Sequence, residues 1–165
     1  MNIWTRRLAL AGLLAVAAGG AAADVSVTFS NADGYGAMPT ASWDRERVLK
    51  DLGAYFAKLG AKLPPGTDLK IDVLDLDLAG RVRPNFRGGE EVRILNGGAD
   101  WPHMHLRYTL TQGGRVLAQG DDEINNMNYL ERMNRVNADP SWRYEKQMID
   151  DWFSSKIVNG KLATR

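Results

Sequence analysis

Cysteine is absent from the 165 residues and histidine occurs only twice, as His103 and His105. Without cysteine there are no disulfides, no thiol redox chemistry, no cysteine nucleophile and no Cys-based zinc site. The chain also lacks a Gly-x-Ser-x-Gly elbow, an HExxH helix and a glycine-rich phosphate loop before a helix, which removes the usual support for nucleophilic hydrolases, zincins and nucleotide binders. No apolar run reaches the roughly 20 residues that a membrane-spanning helix needs. A surplus of charge is missing too. The 21 Lys and Arg nearly balance the 20 Asp and Glu, so there is no long-range field for nucleic acid or anionic lipid.

The N-terminus carries a different signal. Arg6 and Arg7 precede a run without charge from Leu8 to Ala18, which breaks at Gly19-Gly20 and ends in Ala21-Ala22-Ala23. A short basic start, a short apolar stretch and small residues at the −3 and −1 positions predict a secretion signal cleaved after Ala23. Arg6-Arg7 is only a faint twin-arginine pattern, since paired arginines are common in ordinary signals. With no cysteine at the cleavage point, no lipid anchor is expected. The mature chain is then residues 24–165, a single domain, periplasmic or secreted and free of a membrane anchor. Cleavage takes the basic count from 21 to 19 against 20 acids, which further disfavours nucleic acid. A domain of this length buries roughly two thirds of its unfolded surface, enough for one core without staples.

Period-2 alternation predicts a first strand through Val25, Val27 and Phe29, and a loop over 31–41 rich in Gly, Pro and Asn follows. Ser42 is the expected cap of a helix whose Val48, Leu49, Leu52, Phe56 and Leu59 share one face. In the segment Asp68–Gly80 the apolar parity switches between Val73 and Leu74. Either a β-bulge sits there or the strand passes from half-covered to covered on both faces; the bulge is the favoured reading, with Asp72, Asp75 and Asp77 on the outward side. Residues 81–90 read as a loop, then come a short strand through Val92 and Ile94 and a strand in which Met104, Leu106, Tyr108 and Leu110 alternate with polar residues. Gly113-Gly114 is a two-residue hairpin signal that sends Val116–Ile124 back as a fifth strand. A helix over Asn126–Val136, and another opening at Asp139-Pro140 with apolar Trp142, Met148, Ile149, Trp152 and Phe153, complete the reading. The expected architecture is a two-layer α+β domain, a mostly antiparallel sheet of about five strands with helices packed on one face.

If Gln112 faces Arg115 across the hairpin, continuing that register sets Leu110 opposite Leu117 and His105 opposite Asp122. A carboxylate beside an imidazole could raise its pKa, as in a catalytic dyad or a metal's outer shell. His103 and His105 share a face and could reach one metal if Asp100 or Asp122 supplied a third ligand. Polar residues on the outer side of a half-solvated strand need no such explanation, and no metal or cofactor is expected. Asp75 and Asp77 could gather a cation, but an extended strand cannot wrap one ion with its own ligands; accepting hydrogen bonds from neighbouring loops is the simpler role. The aromatic stripe of the last helix could form a ligand groove or pack in the core.

Six short motifs occur in order: Leu63-Pro64-Pro65-Gly66, Asp75-Leu76-Asp77-Leu78-Ala79-Gly80, Ala99-Asp100-Trp101-Pro102, Met127-Asn128-Tyr129, Tyr144-Glu145-Lys146 and Asp151-Trp152-Phe153. Together they resemble a family of secreted proteobacterial proteins catalogued only as a domain of unknown function. That resemblance implies a one-domain periplasmic protein with no assigned reaction. The family pattern more often has Asp before Met-Asn-Tyr, where this chain has Asn126, so an essential carboxylate is not expected there. His103 and His105 fall outside the pattern. Attention moves to Asp75, Asp77, Asp100, Trp101, Asn128, Tyr129, Tyr144 and Trp152, as loop pins or as a surface for a ligand or partner. The resulting expectation is a non-catalytic binding or accessory protein for a periplasmic protein or envelope component. The alternatives are a metal-assisted or acid-base hydrolase using His103, His105 and Asp122, and a structural oligomer.

Overall fold

The computed structural model describes residues 22–85, 91–133, 135–136 and 141–160. Strand β1 (Asp24–Phe29) leads through a loop into helix α1 (Ser42–Leu59), which returns the chain to β2 (Thr67–Asp77), parallel to β1. A hairpin of β3 (Arg81–Pro84) and β4 (Glu91–Ile94) then stands apart as a two-stranded sheet. The chain re-enters the main sheet with β5 (His103–Gln112) and β6 (Arg115–Asn125), giving the order β1-β2-β5-β6 with both later pairings antiparallel. Helix α2 (Arg143–Trp152) continues as a π-helical segment, Phe153–Asn159.

The domain is α+β, as the alternation implied. Six strands in two sheets replace the single sheet of about five, because residues 81–84, read as loop, pair with β4. Both helices cover one face. Val48, Leu52, Phe56 and Leu59 of α1 are buried against Leu69, Ile71, Val73 and Leu76 of β2 and Met104, Leu106, Tyr108 and Leu110 of β5. Met148, Ile149, Trp152, Phe153 and Ile157 close the same core, where the Trp152 ring meets Phe56 and Tyr108 edge-on at 6.2 and 5.4 Å. The opposite face of the sheet is polar, the pattern of an antiparallel-type sheet wet on one side.

The bulge expected in β2 is present, with pairing shifting between Val73 and Asp75. A second bulge was not expected. On the β5–β6 hairpin Gln112 does face Arg115, but the register slips between Leu110 and Thr111, so Leu110 faces Ala118 and His105 faces Glu123. The extra residue is Leu117, and every β6 side chain beyond it is displaced by one from the simple count. The helix read over Asn126–Val136 is also corrected: residues 127–131 form turns, and residue 134 lies outside the described residues. Its supposed apolar face, Met127, Leu130 and Met133, is exposed, while Asn126 and Tyr129 are buried. A segment this short is a poor helix by itself, and here Tyr129 ties it down instead. The start at Asp139-Pro140 lies outside the described residues, as do the signal residues 1–21; α2 itself begins at Arg143. Ser42 is the first helical residue of α1, with Ala41 in the cap position.

Candidate functional site

Beyond β2 the chain turns sharply through Leu78-Ala79-Gly80, and this turn organises a cavity. Gly80 has φ +82°, and a Cβ there would lie 2.4 Å from the Ile94 carbonyl oxygen, so only glycine lets β4 approach. The Gly80 amide donates to the Asp100 carbonyl at 2.8 Å. Ala79 is held from both sides: its amide donates to Glu145 Oε1 at 2.8 Å, and its carbonyl accepts from Arg93 Nη1 at 2.6 Å. Arg93 also donates through Nη2 to the Ala37 carbonyl at 3.2 Å, and its guanidinium lies 4.8 Å from the centre of the Trp142 ring. Trp142, a bulky residue with φ +55°, starts α2 in the left-handed region and donates its Nε1 to Asp51 of α1 at 3.3 Å.

The resulting cavity of about 340 Å³ is lined by Ala79, Leu95, Ser141, Trp142, Arg143 and Tyr144, together with Arg93 and Glu145. Glu145 is only 2% exposed. Burial pushes its carboxyl above the usual range, against the opposing pull of the Ala79 amide, its own amide, Arg93 and Lys146. Burial likewise pulls the Arg93 guanidinium down, with Glu145 and Asp77 acting the other way. The two groups attract each other, yet they form no direct ion pair.

The motif residues build the wall behind this cavity. Tyr129 donates its hydroxyl to Asp100 Oδ1 at 2.9 Å and accepts the Gly97 amide at 3.3 Å, while Asp100 Oδ2 accepts the Asn96 amide at 2.8 Å. Burial pushes Asp100 up, but the Asn96 amide, the Tyr129 hydroxyl, its own amide and Arg81 outweigh it and hold the carboxyl below the usual range. The Tyr129 ring meets Tyr144 edge-on at 4.9 Å, and Ala79, Leu95 and Trp101 pack around the pair in a second small core. The Arg143 guanidinium lies over the Tyr144 ring, 4.7 Å from its centre, and donates Nη2 to the Tyr144 hydroxyl at 2.6 Å. Asp100, Trp101, Tyr129 and Tyr144 therefore converge, and Tyr144 reaches the cavity. Asn128 is exposed and contributes its carbonyl to the turn, accepting the Glu131 and Arg132 amides at 3.1 Å each. Trp152 lies in the main core, away from this cluster.

The other candidates separate. Asp75 accepts the Leu76 amide at 2.9 Å, within the bulge. Asp77 stands 4.0 Å from His103, and burial raises its pKa, opposed by His103 and Arg93. His105 bonds not Asp122 but Asp121, which also accepts from Arg107 on the open face. Asp122 lies on the helix-covered side, where it accepts Trp152 Nε1 at 2.9 Å and Lys156 Nζ at 3.3 Å. The bulge at Leu117 is the cause. His103, His105 and Asp122 do not meet, and among the described residues no three His, Asp or Glu side chains could hold a metal ion.

Arg93 and Trp142 also border a wider groove of about 830 Å³, lined by Pro39, Trp43, Arg47, Val82 and Glu91 among others, in which Trp43 is 69% exposed. Arg93 and Glu145 were not singled out from sequence. A signal existed for Glu145: Met148, Ile149 and Trp152 follow it at i+3, i+4 and i+7, the spacing of one helix face, so a carboxylate sits on the core stripe of α2. Arg93 left no comparable sign in a four-residue strand.

Fold and site together define a small α+β domain whose β2 exit, β3–β4 hairpin and α2 start enclose a cavity with unlike charges in its walls. The chain belongs to the family described as "Protein of unknown function (DUF3016)", whose match spans residues 23–155. No curated protein and no solved structure matches it.

Proposed function

We propose that the protein is an exported, non-catalytic binding or accessory domain that holds a small ligand or a projecting group of an envelope partner in the cavity beside Ala79. The cavity itself carries the reading. At about 340 Å³ it falls in the roughly 300–1,000 Å³ range of ligand pockets, and its apolar and aromatic lining with a few fixed polar groups is the usual make-up of such sites. The convergence of Asp100, Tyr129 and Tyr144 behind it supports a pre-organised wall. For export, the N-terminal pattern is supported by a folded chain whose β1 begins at Asp24.

Native mass spectrometry of the protein purified from periplasm tests the reading, alongside thermal melts with and without the low-mass fraction of a periplasmic extract. A retained adduct or an upward shift of a few degrees is expected, and both should disappear in Trp142→Ala. Extract that never shifts the melt, with no adduct on the wild-type chain, would overturn it.

A further inference from the structure

The cavity has a specific chemical bias. Glu145 is almost wholly buried and faces the cavity, and no side chain among the described residues donates to either of its carboxylate oxygens. Arg93 faces the same space with a fork of five N–H donors, of which the Ala79 and Ala37 carbonyls engage two nitrogens. These are a buried acceptor and a half-buried donor of opposite charge that share one cavity without touching. Buried charge is costly unless it is paired and hydrogen-bonded. The group that completes this pairing must offer a cationic donor to Glu145 and an anionic acceptor to Arg93 within one small frame.

That requirement sorts the ligand classes. An amine without an acid would set its charge beside Arg93 and Arg143, both lining the cavity. An acid without an amine would set its charge beside Glu145. A sugar would bring a hydroxyl on nearly every ring carbon to walls made largely of Ala79, Leu95, Trp142 and Tyr144. A free α-amino acid carries ammonium and carboxylate on one carbon, and an apolar side chain on that carbon can lie on the aromatic wall. Its size also suits a cavity of about 340 Å³. We propose that this cavity binds a free α-amino acid with an apolar side chain, its ammonium on Glu145, its carboxylate on Arg93 and its side chain against Trp142 and Tyr144. This rests on the reading of the cavity as a ligand site and narrows it to one chemical class.

Calorimetry on the purified protein distinguishes the classes, with separate titrations of L-phenylalanine, L-leucine, phenylalaninamide, N-acetylphenylalanine, the neutral aromatic p-cresol and maltose. Phenylalanine or leucine should bind, and the amide and the N-acetyl form, each lacking one charge, should bind at least tenfold more weakly. Glu145→Gln, which keeps shape and can still accept the Ala79 amide, should weaken amino-acid binding at least tenfold while its circular dichroism stays native. If that variant fails to fold, the single-charge analogues on the wild-type protein still decide. Equal binding of the amide and N-acetyl forms would overturn the proposal, as would undiminished binding by a folded Glu145→Gln protein. Binding of p-cresol or maltose that Trp142→Ala abolishes, without amino-acid binding, would overturn the zwitterion and leave the ligand-site reading standing. Silence from every probe, joined with no extract effect, would remove both.

Discussion

The adjacent acids Asp121 and Asp122 show how far one position changes a side chain's work. Asp121 is on the open face with His105 and Arg107, where ion pairs are screened and contribute little. Asp122 reaches under the sheet to the indole of Trp152, itself only 4% exposed. Asp122→Ala leaves that buried N–H without its acceptor and should cost about 1–3 kcal/mol, whereas Asp121→Ala, on the screened open face, should cost far less. Urea denaturation of the two variants checks the order, and a larger loss at Asp121 would contradict the register described. Tyr129→Phe removes the hydroxyl that joins Asp100 to the Gly97 amide. It should cost about 1–2 kcal/mol by the same reasoning, read as a lower urea midpoint with an unchanged slope.

Elements bear out the sequence where their periodicity is long and fail it where a single residue breaks the count. The stripe Val48, Leu52, Phe56 and the alternation Met104, Leu106, Tyr108 each repeat often enough to fix a face, and the paired apolar residues at Val73-Leu74 announce the β2 bulge. Leu117 announces nothing, because an exposed Leu on an edge strand reads the same whether it is paired or extra. That one ambiguity moved Asp122 from the inner face to the outer one and gave His105 the wrong aspartate, Asp122 in place of Asp121. The 126–136 segment failed differently: Met127, Leu130 and Met133 have helical spacing, but a long-range bond from Tyr129 to Asp100 decides the path. The cavity escaped because its walls come from three distant parts of the chain, and only the core-facing Glu145 hinted at it. The bulge has its own test. Deleting Leu117 leaves Ala118 opposite Leu110 and joins two stretches already in register, so the variant should fold with a stability change of about 1 kcal/mol or less. If the simple hairpin count held instead, the deletion would turn the far half of β6 inside out, and the two-state urea transition would be lost.

Across the whole molecule, the proposed export fixes the covalent start: intact mass of the protein recovered from periplasm should correspond to residues 24–165. The buried charges make a sharper statement about that mature domain, because Asp100 and Glu145 are shifted in opposite directions. Asp100 titrates below its ordinary 3.8, so the stability it confers is present at higher pH and is lost as pH falls through its folded value. Glu145 titrates above 4.5, chiefly through burial. Between 4.5 and its folded value the native state keeps a proton that the unfolded chain has released, so stability falls as pH rises through that window. The two effects occupy separate ranges, one below 3.8 and one above 4.5. Glu145→Gln deletes only the second, since the amide cannot ionise and still offers an oxygen to Ala79. Urea midpoints of wild type and Glu145→Gln between about pH 4 and 8 should therefore diverge in favour of the variant as pH rises. A difference that stays flat across that range would show that Glu145 ionises as readily in the fold as in the open chain, and its place in the wall would then carry no electrostatic cost.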